Sequence, residues 1–326
     1  IVNQLENYAA LKPGDTVLDI ASNDGTLLQS YNVSGVNLVG IDPTIPQYRE
    51  YYPEGAFLSP EFFSKEIFAA VSPTEKAQIV SSIAVFYDVP DPDRFTADIA
   101  SILDKDGIWV MEQSYLPMLV ADLSFDSICH EHLGYYCLKQ IERAAQAAGL
   151  RVFDVETNAM NGGSIRAFLC HGNACHKANE QALADIRILE AEAKLDSIDT
   201  FKAFHRKVSK IGEQLVGVLK DAKAAGKTIH IYGASTKGNV LLQLYGIDRT
   251  LIDVAAERNE WKFGHRTPGT NIPIISEEES RAQKPDYFLV LPWHFRDEFV
   301  ERERAFIEGG GKLIFPLPEV EIYPTN

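Results

Sequence analysis

Two stretches of this chain follow one pattern, and that pattern restricts the fold more than any other feature. Thr16-Val17-Leu18-Asp19-Ile20-Ala21 is a short run, apolar almost throughout, that enters the turn Ser22-Asn23-Asp24-Gly25. A helix opens at Thr26, and the next strand, Asn37-Leu38-Val39-Gly40-Ile41-Asp42, closes on an acid. Far downstream, Thr228-Ile229-His230-Ile231-Tyr232 enters Gly233-Ala234-Ser235-Thr236-Lys237-Gly238-Asn239, and a helix runs from Val240 to Tyr245. The strand Leu251 to Glu257 again ends on an acid, followed by Arg258. Runs without polar alternation suit parallel strands buried on both faces. Strand, glycine turn, helix and acid-tipped strand, in that order, describe a nucleoside site of doubly wound type.

Two such beginnings in 326 residues predict an α/β protein of two domains. Residues 1–175 read as a doubly wound, Rossmann-like domain, 176–226 as a helical connection, and 227–326 as a second, smaller Rossmann-like α/β domain. In the first domain, further strands are expected at Ala77 to Ser82 and Ile108 to Glu112. Arg151 to Val155 and Ser164 to His171 are expected to form an antiparallel pair joined through Asn161-Gly162-Gly163. In the connection, Phe201, Phe204, Val208, Ile211, Leu215, Val218 and Ala222 recur at helical spacing and read as a packing face without chemistry.

The two turns differ in the ligand they favour. The first has one glycine and an extra acid, not the Gly-x-Gly-x-x-Gly that admits a pyrophosphate. Acids there repel a diphosphate and suit the cationic amino-acid end of S-adenosylmethionine, while Asp42 accepts from both ribose hydroxyls. The donor set is therefore Asp19, Ala21, Asn23, Asp24, Gly25, Asp42 and Pro43, with Ser81 and Ser82 at the end of the next strand. The plainer reading of Asp24 is a helix cap. The second turn lacks the Gly-Lys-Ser/Thr order of a nucleoside-triphosphate loop, but free amides at a helix N-terminus beside Lys237 make an anion site. A diphosphate would lie along Gly233, Ser235, Thr236, Lys237, Gly238 and Asn239, near Glu257, Arg258, Trp293 and His294. The plainer reading is a degenerate duplicate that only shapes a cleft.

Between the two copies stands the densest group of titratable side chains, Cys129-His130-Glu131-His132, followed by Tyr135 and Tyr136. Two imidazoles and one acid lack the third ligand and the spacing of a zinc site, so no metal is expected. Polar capping of a helix starting near Leu138 is the plain alternative. As chemistry, a histidine near its ordinary pKa serves as a base, and a neighbouring carboxylate orients it. His132 is the expected base, with Glu131, His130 and Cys129 around it, Tyr135 and Tyr136 toward a developing oxyanion, and Asp88 as the fallback base.

Composition limits the partners. With a net charge of −15, a nucleic-acid partner is not expected, although a small anionic substrate remains compatible. The four cysteines show no CxxC spacing, which points to reduced thiols and a cytoplasmic location. No apolar run is long enough for a membrane span, and no signal peptide is visible.

The order of these motifs resembles the sugar C-methyltransferases that act on ketone forms of nucleotide-linked deoxysugars. The resemblance rests on Val17 to Gly25, on His130-Glu131-His132 with Tyr135-Tyr136, on Gly162-Gly163-Ser164-Ile165-Arg166, and on Gly233 to Asn239. It implies S-adenosylmethionine as donor, S-adenosylhomocysteine as product, an anionic nucleotide-sugar as substrate with Arg166 among its contacts, and catalysis at the His-Glu-His block. This chain departs from the family pattern in having Cys129 where a tyrosine is common and Asp88 where a histidine is common. A cysteine-rich zinc lobe usually precedes the core; here the core starts almost at once, so the lobe is expected to be absent or removed. Oxygen methylation of a sugar or small hydroxylated compound, or a noncatalytic binding role, are the alternatives.

Overall fold

The computed structural model describes residues 1–325. The chain forms two compact units. The first comprises Ile1–Pro117, Leu133–Ala159 and Gly163–Ala193; the second comprises Met118–His132, Met160–Gly162 and Lys194–Asn326.

The first unit is built on seven strands: β1 (Thr16–Ile20), β2 (Asn37–Ile41), β3 (Phe57–Ser59), β4 (Ala77–Ile83), β5 (Leu103–Ser114), β6 (Leu150–Asn158) and β7 (Ser164–His171). Their order is β3-β2-β1-β4-β5-β7-β6. The first five are parallel; β7 runs antiparallel to β5 and to β6. This is the doubly wound, Rossmann-like arrangement expected, with its switch point between β1 and β4. Every residue of β1 is buried, as a run lacking polar alternation requires. One face packs Val17, Ile79, Ile108, Val110, Phe153 and Phe168 into a core with Leu5 of the N-terminal helix.

The second unit holds six strands: β8 (Ile229–Tyr232), β9 (Val254–Glu257), β10 (Ile274–Ser276), β11 (Tyr287–Val290), β12 (Lys312–Phe315) and β13 (Glu321–Tyr323). Their order is β10-β9-β8-β11-β12-β13, parallel except for the edge strand β13. The helix Ile198–Ala224 covers this sheet with Val208, Ile211, Leu215, Leu219 and Ala222. The segment 176–226 thus holds two helices, Glu180–Ala193 in the first unit and Ile198–Ala224 in the second.

Two excursions of the chain belong to the second unit. Leu123 and Phe125 are buried in its core, and the Phe125 ring lies 5.3 Å from that of Tyr245. Burying two such side chains contributes on the order of 3–6 kcal/mol, which holds the segment Met118–His132 there. The turn Asn161-Gly162 follows it, through contacts described below.

Candidate functional site

In the first unit the turn after β1 is held open by unusual backbone. Ala21 (φ 58°), Asn23 (φ 48°) and Gly25 (φ 75°) are all left-handed, as is Ala84 (φ 58°) just after β4. Non-glycine residues adopt this conformation only where the surroundings impose it, and such positions gather at functional sites. Gly25 also needs to lack a side chain, because a Cβ there would meet the Tyr52 ring at 2.8 Å. The Tyr52 hydroxyl donates to the Asn23 carbonyl (2.7 Å) and bonds Ser22 Oγ (2.8 Å), so this tyrosine braces the turn. Burial pushes its phenol up to about 12.

The carboxylates of this turn are arranged in two ways. Asp42 lies at the tip of β2, and its Oδ2 accepts the Asn23 N–H at 2.9 Å. Its Oδ1 accepts the Thr44 N–H and hydroxyl, both at 2.6 Å, across Pro43. Asp19 is 4 % exposed and accepts the Ser81 hydroxyl at 2.6 Å. Burial first, and the Asp42 charge second, push Asp19 up to about 7 despite that hydrogen bond. The groups bonding these two acids are hydroxyls and backbone N–H, not lysine or arginine. A buried pair of acids without a cation fits a ligand that brings one, as the sulfonium and ammonium of S-adenosylmethionine do. Ser82 lies apart, accepting the Trp109 indole N–H at 2.9 Å. Asp24 is turned onto its own helix, where Oδ1 accepts the Thr26 N–H at 3.1 Å. From one position before the N-cap Gly25, it thus makes a local bond to the first residue of the helix.

Four further expected residues lie in the first unit. Tyr136 packs against Phe86, with ring centroids 5.0 Å apart, and Tyr135 adjoins it. Asp88 ends the short turn Phe86–Asp88 after β4. Arg166 projects from β7 and pairs with Glu112 (2.6 Å) and with Glu156. Its charge is thus neutralised inside the sheet face, not offered to a diphosphate.

In the second unit, the stretch read as a long loop is mostly helix. The helix spans Thr236–Tyr245, starting earlier than Val240, and Ser235 caps it by accepting the Gly238 N–H at 3.1 Å. Lys237 and Asn239 lie in its first turn. The Lys237 ammonium donates to the Asn161 carbonyl at 2.9 Å, and burial lowers its pKa. Asp126 is 1 % exposed; its Oδ2 accepts the Trp293 indole N–H at 2.9 Å, while its Oδ1 has no partner. Burial raises Asp126, and the Lys237 charge partly offsets this. Trp293 stacks on His294 with centroids 3.8 Å apart, so its face is covered and unavailable to a base. His294 Nε2 also lacks a partner, and burial, then Lys237, bring this imidazole down to about 3. Gly162 (φ 89°) must be glycine, since a Cβ would meet His294 Nε2 at 2.7 Å and Ser124 Oγ at 2.8 Å.

The Cys129-His130-Glu131-His132 segment enters this same unit. His130 and Glu131 are exposed, Cys129 is half-buried, and His132 is half-buried with its pKa lowered chiefly by burial. A lowered pKa keeps the imidazole neutral at physiological pH, the state a base requires. A cavity of about 590 Å³ is lined by Cys129, His130, Thr236, Asn239, Gln243 and Pro268, among others. Asn239 Oδ1 is buried without a partner. Glu257, at the tip of β9, accepts the Ala234 N–H at 3.0 Å and pairs with Lys262; Arg258 pairs with Glu277. Among the described residues no group of three His, Cys, Asp or Glu is placed to hold a metal ion. Among the described residues no helix is long and apolar enough to cross a membrane.

The motifs pointed to most of these positions. They missed Tyr52, Asp126, Asn161 and Lys262. Asp126 and Asn161 stood beside motifs already singled out, whereas Tyr52 and Lys262 carried no local signal.

Comparison with known proteins fits this layout. A family model described as a methyltransferase domain matches residues 2–155, and one described as the C-methyltransferase C-terminal domain matches residues 159–318. The C-methyltransferase NovU of Streptomyces niveus is 31% identical over 313 residues, covering 96% of this chain and 74% of that protein. The chain belongs to the C-methyltransferase family. It is an S-adenosylmethionine-dependent methyltransferase. Among solved structures, YcgJ of Bacillus subtilis matches with 15% identity, 48% of this chain, 70% of that chain and a TM-score of 0.39. LepI in complex with SAM matches with 17% identity, 52% of this C-methyltransferase, 46% of that chain and a TM-score of 0.42.

Proposed function

We propose that this C-methyltransferase acts on a nucleotide-linked keto-deoxysugar, with His132 as the base that forms the enolate. The observation carrying this reading is the shared cavity of the second unit, where Cys129 and His130 of the reactive segment face Thr236 and Asn239 of the anion-binding helix turn. A diphosphate accepts from the amides of Thr236 and Lys237 at the start of that helix, since those of Gly233, Ala234, Gly238 and Asn239 are bonded within the protein. Asn239 Oδ1, buried and unpartnered in the lining of that cavity, offers a fixed hydrogen-bonding position to the rest of a polar ligand.

S-adenosylmethionine supplies an electrophilic methyl on a sulfonium, and we assign its binding to Asp19, Ala21, Asn23, Gly25 and Asp42. His132 takes the proton from the carbon next to the ketone, and the electron pair of that C–H bond becomes the enolate. The enolate carbon then bonds the methyl as the methyl–sulfur bond breaks, leaving S-adenosylhomocysteine and a proton on His132. A carbanion of this kind forms only if the oxyanion is stabilised and the base is in reach. Lys237 gives the segment a positive potential that suits both the enolate and the diphosphate.

The test is a screen of nucleoside-diphosphate keto-sugars by mass spectrometry for a gain of one methyl. The expected result is methylation of a ketone-bearing member and none of its reduced alcohol. Methylation of the alcohol alone would overturn the enolate route in favour of oxygen methylation.

A further inference from the structure

Gln113 is the outstanding unexplained side chain of the first unit. It is 1 % exposed, yet neither Oε1 nor Nε2 has a hydrogen-bond partner. A buried amide that is left unmatched at both ends is rare in native folds and asks for a reason. Its position supplies one. Gln113 lies near the carboxyl end of β5, one residue past Glu112, which pairs with Ile83, the last residue of β4. Ligands of open α/β sheets bind outside the carboxyl ends of the strands.

The strand also indicates which ligand. The donor residues cluster on the tips of β1 and β2 and on β4, whereas β5 is the next strand outward. At about 4.8 Å per strand, Gln113 stands roughly 10 Å from β1 across the sheet. With the donor assigned to β1 and β2, this is the side of the sheet left to the methyl acceptor on that reading. Glu112 faces Arg166, so Gln113, next along the strand, points to the other face, which it shares with Trp109. A primary amide presents a donor and an acceptor side by side, a match for two adjacent oxygens of a sugar ring and a poor match for a sulfonium or a phosphate.

We infer that Gln113 is a specificity-determining residue whose amide binds a pair of adjacent polar groups on the methyl acceptor. This rests on the reading of the acceptor as a keto-sugar; the amide replaces in the complex the hydrogen bonds it lacks in the free protein.

The experiment compares wild type with Gln113→Met, of similar shape without the amide, and Gln113→Glu, which keeps an acceptor and loses the donor. Three quantities are measured on the full chain: melting temperature without ligand, affinity for S-adenosylhomocysteine, and kinetics with the keto-sugar nucleotide that wild type methylates. The expected result for Gln113→Met is a melting temperature equal to or above wild type, unchanged S-adenosylhomocysteine affinity, and a KM for the sugar raised about tenfold or more. Gln113→Glu should change the ranking of sugars that differ at one ring position. An unchanged KM and ranking would overturn the inference. So would a lower melting temperature of Gln113→Met, which would mean that the amide is already bonded in the free protein. If wild type methylates no keto-sugar nucleotide, the substrate reading fails by itself. The melting comparison then still decides Gln113: a fall rejects it, and a rise keeps its amide for an acceptor of another class.

Discussion

The two units share one scaffold and give it opposite electrostatics. In each, an acid at the tip of the second strand accepts a backbone N–H from the turn after the first: Asp42 from Asn23 at 2.9 Å, and Glu257 from Ala234 at 3.0 Å. In each, the strands run third, second, first, fourth, fifth. Around this common hinge the charges diverge. The first turn gathers Asp19, Asp24 and Asp42 with no lysine or arginine bonded to them. The second turn carries Lys237, and its acid is neutralised by Lys262 at 3.3 Å. A doubly wound turn is therefore not itself a statement about the ligand; the side chains on it make one site suited to a cation and the other to an anion.

The sharpest division of labour, and the largest expected effect, concerns His132. It belongs to the second unit by packing, so replacing it should leave the first unit's ligand untouched. His132→Asn is expected to lower methylation by about 10²–10⁴-fold, the usual contribution of a positioned base. It should also stop exchange of the sugar's acidic proton with deuterated water in the presence of S-adenosylhomocysteine, whose affinity stays near normal. Full activity in this variant would send the search for a base to Asp88 in the first unit.

Lys237 comes next. Removing its ammonium takes a compensating positive charge from the buried Asp126, so Lys237→Met is expected to lower the melting temperature of the second unit. Asp126→Asn in the same chain should restore most of that stability. The double variant should still bind nucleoside-diphosphate sugars about tenfold or more weakly, because a charged partner is gone. Recovery of binding along with stability would make Lys237 a structural partner of Asp126 alone.

Much of this contrast was legible in the residues themselves. The apolar runs of β1 and β8 follow a local rule, because a parallel strand buried on both faces is mostly apolar, although each also buries a titratable side chain, Asp19 and His230. The assignment of Cys129 to His132 to the second unit was not legible. It depends on Leu123 and Phe125 joining the core beside Tyr245, a contact across more than a hundred residues of chain. The role of Arg166 was misjudged for a similar reason: the register of β5, β6 and β7 brings Glu112 and Glu156 beside it, and register is a property of the sheet. Trp293 likewise reads as a stacking surface until His294 and Asp126 are seen to cover it. Helix Thr236–Tyr245 began earlier than expected because Ser235 caps it, and Gly238 inside it serves close packing against Leu291.

A middle-sized effect separates the two hinge acids. Asp42→Ala should weaken S-adenosylhomocysteine binding by about 1–3 kcal/mol, the loss of an oriented acceptor, measured by calorimetry. Glu257→Ala should leave that affinity unchanged. If the two substitutions weaken donor binding equally, the units do not bind separate ligands and the comparison fails.

The smallest expected effect is a pH dependence carried by Asp19. Its carboxyl is pushed up to about 7 in the fold, chiefly by burial, whereas the unfolded chain releases this proton near the ordinary aspartate value. Between those two points the folded state holds more protons than the unfolded one, so this group makes stability fall as pH rises through the window. Asp19→Asn should flatten that slope. A cationic ligand reverses the preference, because it favours the ionised carboxylate and lowers its pKa. Donor affinity should therefore rise a few-fold between about pH 5.5 and about pH 7, below the range in which the ligand's own amine titrates. Binding in this window should release a proton, seen as a dependence of calorimetric heat on the buffer's ionisation enthalpy. In Asp19→Asn both the rise and the proton release should vanish, while the proposed nucleotide-sugar site of the second unit, whose own buried acid is Asp126, keeps its profile. Equal donor affinity across the window, with no proton released, would mean that Asp19 stays protonated beneath the ligand and that Asp42 alone meets it.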